Sequence, residues 1–415
     1  MTVASFSITP AQGGVTAPAG FTSAALHCGI KAEALDLALL VADAPAASAG
    51  IFTTNVVKAA PVLLCQSHLV SSSGRTRAIV VNSGCANACT GDAGTRDAAE
   101  MAQLVAGAVG CAANEVLVAS TGVIGVDLKM PALRSGIARA AASLARGRGG
   151  EAARAIMTTD RAPKEHAVTV RTPAGTFIVG GMAKGAGMIE PHMATMLGFL
   201  TTDAVVEPAL LRRALVEAAS DTFNAITIDG DTSTNDSLFA LASGASGVVI
   251  DEAGYAALVV GLRAISHELA MAIVRGGEGA TKLVGVHVHG AASEAEARKV
   301  SQTIANSLLV KTAIHGADPN WGRILAAAGR AGVQFDPGRT TVHVGDVLLF
   351  ENGLPHDDAA PQAAAYLKGD TIRITVDLGG GSGEAGSGEA GSGEATVWTC
   401  DLSAEYVRIN GEYRT

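Results

Sequence analysis

Short apolar runs alternate with helix-type patterns over the first third of the chain. Three mostly apolar runs end in polar or glycine-rich turns and predict buried strands: SAGIFTTN, RAIVVNSG and EVLVASTGVIG. The segments GDAGTRDAAEMAQLVAGAVG and LKMPALRSGIARAAASLA instead have helical periodicity. In the first of these helices we expect Ala99, Leu104, Val105 and Val109 to be among the buried positions.

The same alternation continues along the rest of the chain. The segment VEPALLRRALVEAASDTF predicts a helix with Pro208 in its first turn and with Leu211, Leu215 and Ala219 on one face. The pattern predicts a strand in TKLVGVHVHG, one helix with an acidic start in SEAEARKVSQTIANSLLVKTA, and mainly strands from TTVHVGDVLLF to YVRINGEYRT. Because helices and strands alternate throughout, we predict an α/β or α+β fold.

One segment differs from the rest in composition. Residues 381–395 repeat the unit GSGEA three times, between the strand-like segments TIRITVDLG and TVWTCDLS. Gly/Ser-rich sequence of this kind is flexible. We therefore predict an expanded surface loop that joins the two strands as a hairpin, and we assign it no function.

Composition narrows the functional classes. The 415 residues are enough for two or three domains, and a hydrophobic content of 48% is enough for a large core. The net charge of -9 and the absence of a Lys/Arg run argue against a nucleic-acid partner. The sequence has neither the apolar run of about 18 residues that a membrane helix needs nor a basic start followed by an apolar block. We expect a cytoplasmic protein without a membrane or nucleic-acid partner.

The cysteines agree with a reducing compartment. The six are scattered without a C-x-x-C pair, which is typical of free thiols and not of a disulfide framework. Cys85 and Cys89 are the only close pair and have no histidine nearby. We expect them to be small core residues, and we predict no metal site.

Two common kinds of site are not supported. The glycine-rich segments GGMAKGAGM and GGEGATK do not fit the phosphate-loop pattern, and no dinucleotide fingerprint is present. No G-x-S-x-G motif accompanies the histidines, and His287 and His289 on one strand face are typical of structural residues. The sequence favours neither nucleotide binding nor a Ser-His-Asp hydrolase.

Residues 180–204, GGMAKGAGMIEPHMATMLGFLTTDA, place four glycines around Lys184 and then a threonine, Thr195. A threonine hydroxyl is a weak nucleophile that needs a base beside it. If the chain is cut before Thr195, the new α-amino group can be that base, since its pKa of about 7.7–8.0 in peptides lies near working pH. The hydroxyl could make the cut by attacking the preceding carbonyl, on a backbone that the glycines allow to be strained. A buried strand threonine is the ordinary alternative, and the spacing alone leaves both open.

The segment GGMAKGAGMIEPHMATML closely resembles the signature of the ornithine acetyltransferase family, the bifunctional arginine-biosynthesis enzymes of the glutamate N-acetyltransferase type. Further blocks match in order over nearly the whole chain: GIFTTNVVKAAPV, VVNSGCANACTGDAG, STGVIG, IMTTD, DGDTSTND, EGATK, LVKTAIHGADPNWGRILAAAG, WTCDL and YVRINGEYRT. Each block alone is modest support, but their order together is very specific.

The resemblance implies a precursor that cuts itself between Ala194 and Thr195. The resulting chains, residues 1–194 and 195–415, would stay associated, commonly as two of each. Thr195 would carry an acetyl group from N-acetylornithine to glutamate, with acetyl-CoA as a further donor in bifunctional members and no other cofactor. The implied fold has stacked β layers flanked by helices, arranged as in N-terminal-nucleophile hydrolases but differently connected.

The resemblance also implies residue roles. Thr121 and Gly122 of STGVIG resemble an oxyanion hole, in which a hydroxyl and a backbone N–H stabilise the developing charge. The residues that resemble substrate contacts are Thr158 of IMTTD, Lys184 of GGMAKGAG, Thr195, Glu278 of EGATK, Asn410 and Thr415. Lys184 could meet a carboxylate and Glu278 an ammonium group. Transfer through an acetyl-threonine predicts ping-pong kinetics.

Some features leave alternatives open. Cys85 in NSGCANA and His192 in EPHMATM stand where the family pattern leads us to expect asparagine, and His192 is close enough to the cut to alter its rate. Without the resemblance, Gly122 could be a turn residue, Lys184 a solvated cation and Glu278 a surface charge.

Two other functions would fit parts of the pattern. A self-cleaving threonine peptidase or amidase would share Thr195, Thr121 and Gly122 but would hydrolyse its acyl-enzyme with water. A non-enzymatic metabolite-binding protein would remain a single uncut chain.

Overall fold

A computed structural model describes residues 6–190, 196–380 and 391–412. The chain divides into two compact units: unit 1 comprises residues 1–224 and 231–273, and unit 2 comprises residues 225–230 and 274–415. Each unit combines β-sheet with helices, which confirms the predicted α/β class. The predicted cut after residue 194 falls within the sequence of unit 1.

The described part of unit 1 contains a large sheet and a small one. Its strands are β1 (Ser7–Ala11), β2 (Phe21–Leu26), β3 (Leu37–Phe52), β4 (Arg75–Cys85), β5 (Val116–Val123), β6 (Lys164–Thr172), β7 (Gly175–Lys184), β8 (Leu197–Thr202), β9 (Val205–Val206), β10 (Ser237–Ala242) and β11 (Val249–Ile250). The large sheet has the order β1-β6-β7-β8-β10-β3-β4-β5, with β2 paired to β3, and β9 pairs with β11 in the small sheet. The three predicted strands of the first third are thereby confirmed as parts of β3, β4 and β5.

The long strand β3 belongs to two parts of this sheet. Its first residues pair with β2 and its last residues pair with β10, while β4 pairs with it on both sides of a register shift between Val41 and Ala46. One buried core contains side chains from both parts: Val80, Val118, Phe199 and Phe239. A strand that bends in this way can pass from one packed layer to another, which gives the stacked layers that were predicted.

Six helices cover the sheet residues of unit 1 in the described part of the chain. They are α1 (Ala60–Ser71), α2 (Gly91–Val109), α3 (Met130–Ala142), α4 (Gly149–Ala155), α5 (Pro208–Ser220) and α6 (Tyr255–Arg275). The last two residues of α6 belong to unit 2. The prediction for α5 is confirmed: Pro208 stands in its first turn, and Leu211, Leu215 and Ala219 are buried.

Helix α2 is present as predicted, but its buried face differs by about one residue. Val105 is buried, whereas Ala99, Leu104 and Val109 are only half-buried. The buried stripe has helical spacing and consists of Ala98, Met101, Ala102 and Val105. Ala98 and Ala102 are therefore buried while the larger Leu104 is only half-buried, because the position on the helix face and not residue size decides burial.

Helix α6 is long and apolar enough to cross a membrane by length and composition. However, 67% of its most apolar window is buried inside the protein. A core helix of a globular protein passes the same test, so α6 is weak evidence for a membrane span.

Unit 2 contains a second sheet with helices. The strands are β12 (Leu283–Ala291), β13 (Thr341–Val344), β14 (Val347–Glu351), β15 (Leu354–Pro355), β16 (Thr371–Asp377) and β17 (Gly393–Cys400), in the order β15-β14-β13-β16-β12-β17. The helices are α7 (Glu294–Ala305), α8 (Leu308–His315), α9 (Trp321–Gly329), α10 (Ala360–Tyr366) and α11 (Ala404–Gly411).

The predicted hairpin around the GSGEA repeats is wrong. Strands β16 and β17 are not neighbours, because β12 lies between them, parallel to β16 and antiparallel to β17. Strand β12 has Val284, Val286 and Val288 fully buried, as expected of a central strand. Strand β17 already begins at Gly393, inside the third repeat, and residues 381–390 lie outside the described residues.

Two further expectations for unit 2 need correction. The single predicted helix is two helices, α7 and α8, because Ser307 caps the second by accepting the N–H of Val310. The last predicted strand is helix α11. There Arg408 pairs with Glu405 and Glu412, which are three and four residues away. Ion pairs at this spacing stabilise a helix, although the tyrosine, valine and isoleucine of the segment have strand propensity.

Candidate active site

The predicted site residues that the structure describes form one group in each unit. Thr121, Gly122, Thr158 and Lys184 belong to unit 1. Glu278 and Asn410 belong to unit 2. The others lie outside the described residues: Ala194, Thr195, Thr415 and the atypical His192.

Lys184 brings the first group together. It is the last residue of β7, where it pairs with Leu197, the first residue of β8. Its Nζ donates hydrogen bonds to Oγ1 of Thr158 at 2.8 Å and to Oγ1 of Thr121 at 3.1 Å. Three residues that are far apart in sequence thus share one contact, and Lys184 is not a cation bound only by solvent.

The glycines before Lys184 lie in a strand and not in a turn. Gly180 and Gly181 are inside β7. A Cβ at Gly180 would overlap the carbonyl oxygen of Gly14, and one at Gly181 would lie 2.7 Å from Leu200. These two glycines therefore allow close packing on β7, which the prediction of unusual torsions did not foresee.

Gly122 is required by the close approach of two strands. It lies near the end of β5 with φ of 131°, and it pairs with Gly84 of the parallel strand β4. A Cβ at this position would overlap the backbone of Gly84 and lie 2.6 Å from the nitrogen of Cys85. Position 122 thus needs glycine for conformation and for space, which is more than a turn residue requires.

A buried amide network supports the same strand ends. Nδ2 of Asn235 donates to the carbonyl oxygens of Ala86 at 2.6 Å and of Ser120 at 2.9 Å. Asn82 accepts from the hydroxyl of Ser120 at 2.6 Å and donates to the carbonyl oxygen of Cys85 at 2.8 Å. Both asparagines are inside matching sequence blocks, VVNSGCANA and DGDTSTND, but nothing in their local pattern singled them out.

Cys85 stands directly beside the predicted oxyanion hole. It is 4% exposed, pairs with Thr121 and Val123 in the sheet, and donates weakly to the carbonyl oxygen of Val126. Burial raises the pKa of its thiol, which therefore stays protonated near neutral pH. The expectation of a small core residue is confirmed for Cys85 but is wrong for Cys89, which is exposed.

A buried carboxylate, Asp160, lies next to the lysine contact. Its oxygens accept the backbone N–H groups of Thr158 at 3.0 Å and Gly185 at 2.8 Å, and it forms an ion pair with the buried Lys164. Burial by itself raises the pKa of Asp160, but the charges of Lys184 and Lys164 and these hydrogen bonds lower it to about 2. Asp160 is therefore ionised near neutral pH.

The second group joins Glu278 and Asn410. Nδ2 of Asn410, on helix α11, donates to Oε2 of Glu278 at 2.8 Å and to the carbonyl oxygen of Tyr406 at 3.0 Å. Glu278 is only 6% exposed, so it is not a surface charge. Asn410 reaches it from a helix and not from the strand that was expected.

The segment after Glu278 is held by Asp401. This carboxylate accepts the backbone N–H groups of Thr281 at 2.7 Å and Lys282 at 2.8 Å, and the hydroxyl of Thr281 at 2.6 Å. Nδ1 of His315 lies 2.7 Å from it. Burial raises the pKa of Asp401, but the hydrogen bonds from Thr281 and His315 lower it by more.

The described residues contain no group of three or more His, Cys, Asp or Glu side chains that could hold a metal ion. All six cysteines are described and are free thiols. The groups that meet in unit 1 are the Lys184 ammonium group, the hydroxyls of Thr121 and Thr158 and the backbone of Gly122, which suit an anionic substrate and an oxyanion.

Comparison with known proteins connects this geometry to a family. The ArgJ family profile matches residues 22–415. The bifunctional arginine-biosynthesis protein ArgJ of Symbiobacterium thermophilum is 50% identical over 97% of this chain and 99% of its own. The corresponding protein of a Synechococcus strain is 50% identical over 97% of this chain and 98% of its own. The chain belongs to the ArgJ family.

A solved structure is also similar. Ornithine acetyltransferase of Mycobacterium tuberculosis, in complex with ornithine, is 46% identical over 45% of this chain and 98% of its own chain, with a TM-score of 0.41. The full-length relatives, which are themselves named bifunctional, confirm the sequence-based prediction of an arginine-biosynthesis enzyme of this family. A threonine peptidase is not favoured.

Proposed function

We propose that the chain transfers an acetyl group from N-acetylornithine to glutamate through a covalent acetyl-threonine at Thr195. The observation that carries this proposal is the contact of Lys184 with Thr121 and Thr158 at the end of β7. This contact brings together the Lys184 ammonium group, which can bind a carboxylate, and the hydroxyl of Thr121, which can donate to an oxyanion.

Chain connectivity supports Thr195 as the nucleophile of this cluster. Leu197 pairs directly with Lys184. Leu197 follows Thr195 by two residues in the sequence, so the strand that follows the predicted nucleophile begins beside the lysine.

In the first half-reaction, the freed α-amino group of Thr195 takes the proton of the hydroxyl, whose oxygen attacks the acetyl carbonyl carbon. Thr121 Oγ1 and the N–H of Gly122 stabilise the oxyanion, a kind of interaction worth roughly 3–4 kcal/mol per donor. The C–N bond then breaks, the departing ornithine amine takes the proton, and acetyl-threonine remains.

In the second half-reaction, the uncharged amine of glutamate attacks the acetyl ester and gives a proton to the α-amino group of Thr195. The C–O bond to threonine then breaks, the threonine oxygen takes this proton from the α-ammonium group, and N-acetylglutamate leaves. Lys184 and Thr158 are the proposed contacts of a substrate carboxylate, whereas Glu278, Asn410 and Thr415 are further proposed substrate contacts. Since both substrates share an amino-acid core, they can use these contacts in turn, which gives ping-pong kinetics.

We further propose that the cut between Ala194 and Thr195 is autocatalytic and that its two products stay together. Strands β8 and β10, which follow the cut, lie between β7 and β3, which precede it. Each fragment would lose sheet hydrogen bonds and core if the other left. Assembly as two of each chain, a cytoplasmic location and acetyl-CoA as a second donor are parts of the same proposal.

Thr195→Ala tests the central role, with Thr195→Ser as the matched control. The alanine variant should stay one chain in denaturing electrophoresis and should form no N-acetylglutamate, while serine, which keeps a hydroxyl, should restore part of both reactions. Cutting of the alanine variant would contradict the assignment. Assays with N-acetylornithine or acetyl-CoA as donor test the range of donors, and hydrolysis of N-acetylornithine that ignores glutamate would support the peptidase alternative.

A further inference from the structure

The contact of Lys184 with two hydroxyls depends on a buried charge that has no part in the mechanism so far. Asp160 lies in the IMTTD block, two residues after Thr158, and its side chain is completely buried. One of its oxygens accepts the N–H of Gly185, the residue directly after Lys184. The other accepts the N–H of Thr158, whose hydroxyl receives a hydrogen bond from Lys184.

Asp160 therefore connects the two segments that meet at Lys184. The chain around Thr158 and the end of β7 are 26 residues apart in sequence at the Lys184–Thr158 contact. One carboxylate holds a backbone N–H from each segment, which fixes the donor Lys184 relative to its acceptor. Hydrogen bonds to a charged group are worth about 1.5–3 kcal/mol each, enough to order both segments.

Charge balance points to the same role. Lys164, at the start of β6, is 5% exposed and is ion-paired with Asp160. Lys184 also acts on this carboxylate by its charge, and the charge of Asp160 acts in turn on Lys31, whose Nζ donates to the carbonyl oxygens of Leu35 and Met157. Without Asp160, the buried Lys164 would lose its carboxylate partner, and an uncompensated buried charge of this kind costs several kcal/mol.

We propose that Asp160 is a positioning residue of the acetyl-transfer site, which fixes the Lys184 ammonium group against Thr121 and Thr158 and places a negative charge near it. Both carboxylate oxygens of Asp160 are occupied by donors of the protein, so it acts through Lys184 and does not touch the substrate. The cluster of Lys164, Lys184 and Asp160 keeps one net positive charge, which suits the carboxylate of an amino acid. This inference rests on the proposed function only for its kinetic consequences.

Asp160→Asn tests the proposal, with Asp203→Asn as a matched control. Asp203 is also a buried aspartate of unit 1 that accepts backbone N–H groups, from Ala19 and Ile178. In Asp160→Asn, kcat/KM should fall at least tenfold, and the alkaline limb of the pH profile should move to lower pH by about one to three units. Asp203→Asn should leave the alkaline limb in place.

A double variant that removes both charges of the buried ion pair distinguishes an effect of charge from a loss of structure. In Asp160→Asn/Lys164→Met both charges of the buried pair are gone, so the alkaline limb should move back towards that of the unchanged protein. If Asp160→Asn does not fold, Asp160→Glu takes its place, because the added methylene displaces the carboxylate. Asp160→Glu should lose at least tenfold in kcat/KM, and unchanged kinetics would overturn the proposal.

A second readout does not depend on the reaction. The rate at which an amine-acylating reagent labels Lys184, followed against pH by peptide mass spectrometry, reports the uncharged fraction of this lysine. Labelling should begin at lower pH in Asp160→Asn than in the unchanged protein or in Asp203→Asn. The same pH dependence in all three proteins would overturn the proposal, whereas absence of acetyl transfer in the unchanged protein would contradict only the proposed function.

Discussion

Two buried aspartates, one in each unit, stabilise segments that carry predicted site residues, but they do so in different ways. Asp160 in unit 1 has two lysines as neighbours, and their charges lower its pKa. Asp401 in unit 2 is held by two backbone N–H groups, a hydroxyl and His315. In the first arrangement we propose that the carboxylate positions Lys184, whereas in the second it fixes a backbone segment.

The two regions also share a feature. In each, a glycine with positive φ lets two segments approach: Gly122 meets Gly84 and Cys85, and Gly279 meets Tyr406 and Ser403. At Gly122 the approach forms the proposed oxyanion hole, whereas at Gly279 it seats helix α11, which carries Asn410. We expect a methyl group to impair the chemical step in unit 1 and substrate binding in unit 2.

The largest effect is expected for Gly122→Ala. Its Cβ would lie 2.6 Å from the nitrogen of Cys85, so the oxyanion donor must move, and kcat should fall about 10²–10³-fold. Gly125→Ala is the control, because Gly125 also has positive φ, 75°, but has open space within 4 Å of the position that a methyl group would take. Steady-state kinetics of both variants measure this difference. Equal losses of kcat in the two variants would show that the effect comes from backbone conformation alone.

A smaller effect of another kind is expected for Gly279→Ala. Its Cβ would lie 2.5 Å from the nitrogen of Tyr406 and 2.7 Å from Oγ of Ser403, so α11 must shift and weaken the Asn410–Glu278 hydrogen bond. KM should rise about tenfold, as expected for about 1.4 kcal/mol of lost binding, with little change in kcat. Gly411→Ala, with open space around it, should have normal KM, and a loss confined to kcat in Gly279→Ala would contradict the difference between the regions.

The Asp401 arrangement predicts a stability effect that depends on pH. The folded-state pKa of Asp401 is lowered, so its contribution is complete above its unfolded pKa of about 3.9 and is lost as pH falls through the folded value. Asp401→Asn should lower the free energy of unfolding by about 2 kcal/mol at neutral pH, and this difference should shrink below about pH 4. Chemical denaturation at several pH values measures it. The exposed Asp346, paired with Arg373, provides a control in Asp346→Asn that should be close to unchanged.

The smallest effect is expected on removal of residues 381–390. Strands β16 and β17 each pair with β12 and not with each other, and loop length contributes to stability only logarithmically. Acetyl transfer and the unfolding midpoint should stay the same. A clear loss of transfer would show that the repeats have a role in the reaction.

Local patterns predicted unit 1 better than unit 2. The buried strands β3, β4 and β5 have continuous apolar runs, and Pro208 marks the start of α5. In unit 2, the neighbours of β16 and β17 depend on long-range pairing with β12, which no local pattern encodes. The helix break depends on the cap at Ser307, and α11 depends on charge pairs of Arg408.

The candidate site was predictable as a set of residues but not as an arrangement. The family resemblance singled out Thr121, Thr158 and Lys184 separately. Their contact depends on sheet register and on chain segments 26 and 63 residues away from Lys184. Asp160 and Asn235 were not predicted. The role of a buried polar residue can be identified only from its hydrogen-bond partners, and these come together only in the folded chain.

The measurement that most directly tests the central claim is the mass of the C-terminal chain after incubation with N-acetylornithine in the absence of glutamate. We predict a chain that begins at Thr195, carries one added acetyl group on that residue, and loses it when glutamate is supplied, with N-acetylglutamate as the product. An active protein that never acquires the acetyl group, or that carries it on another residue, would contradict the proposed mechanism.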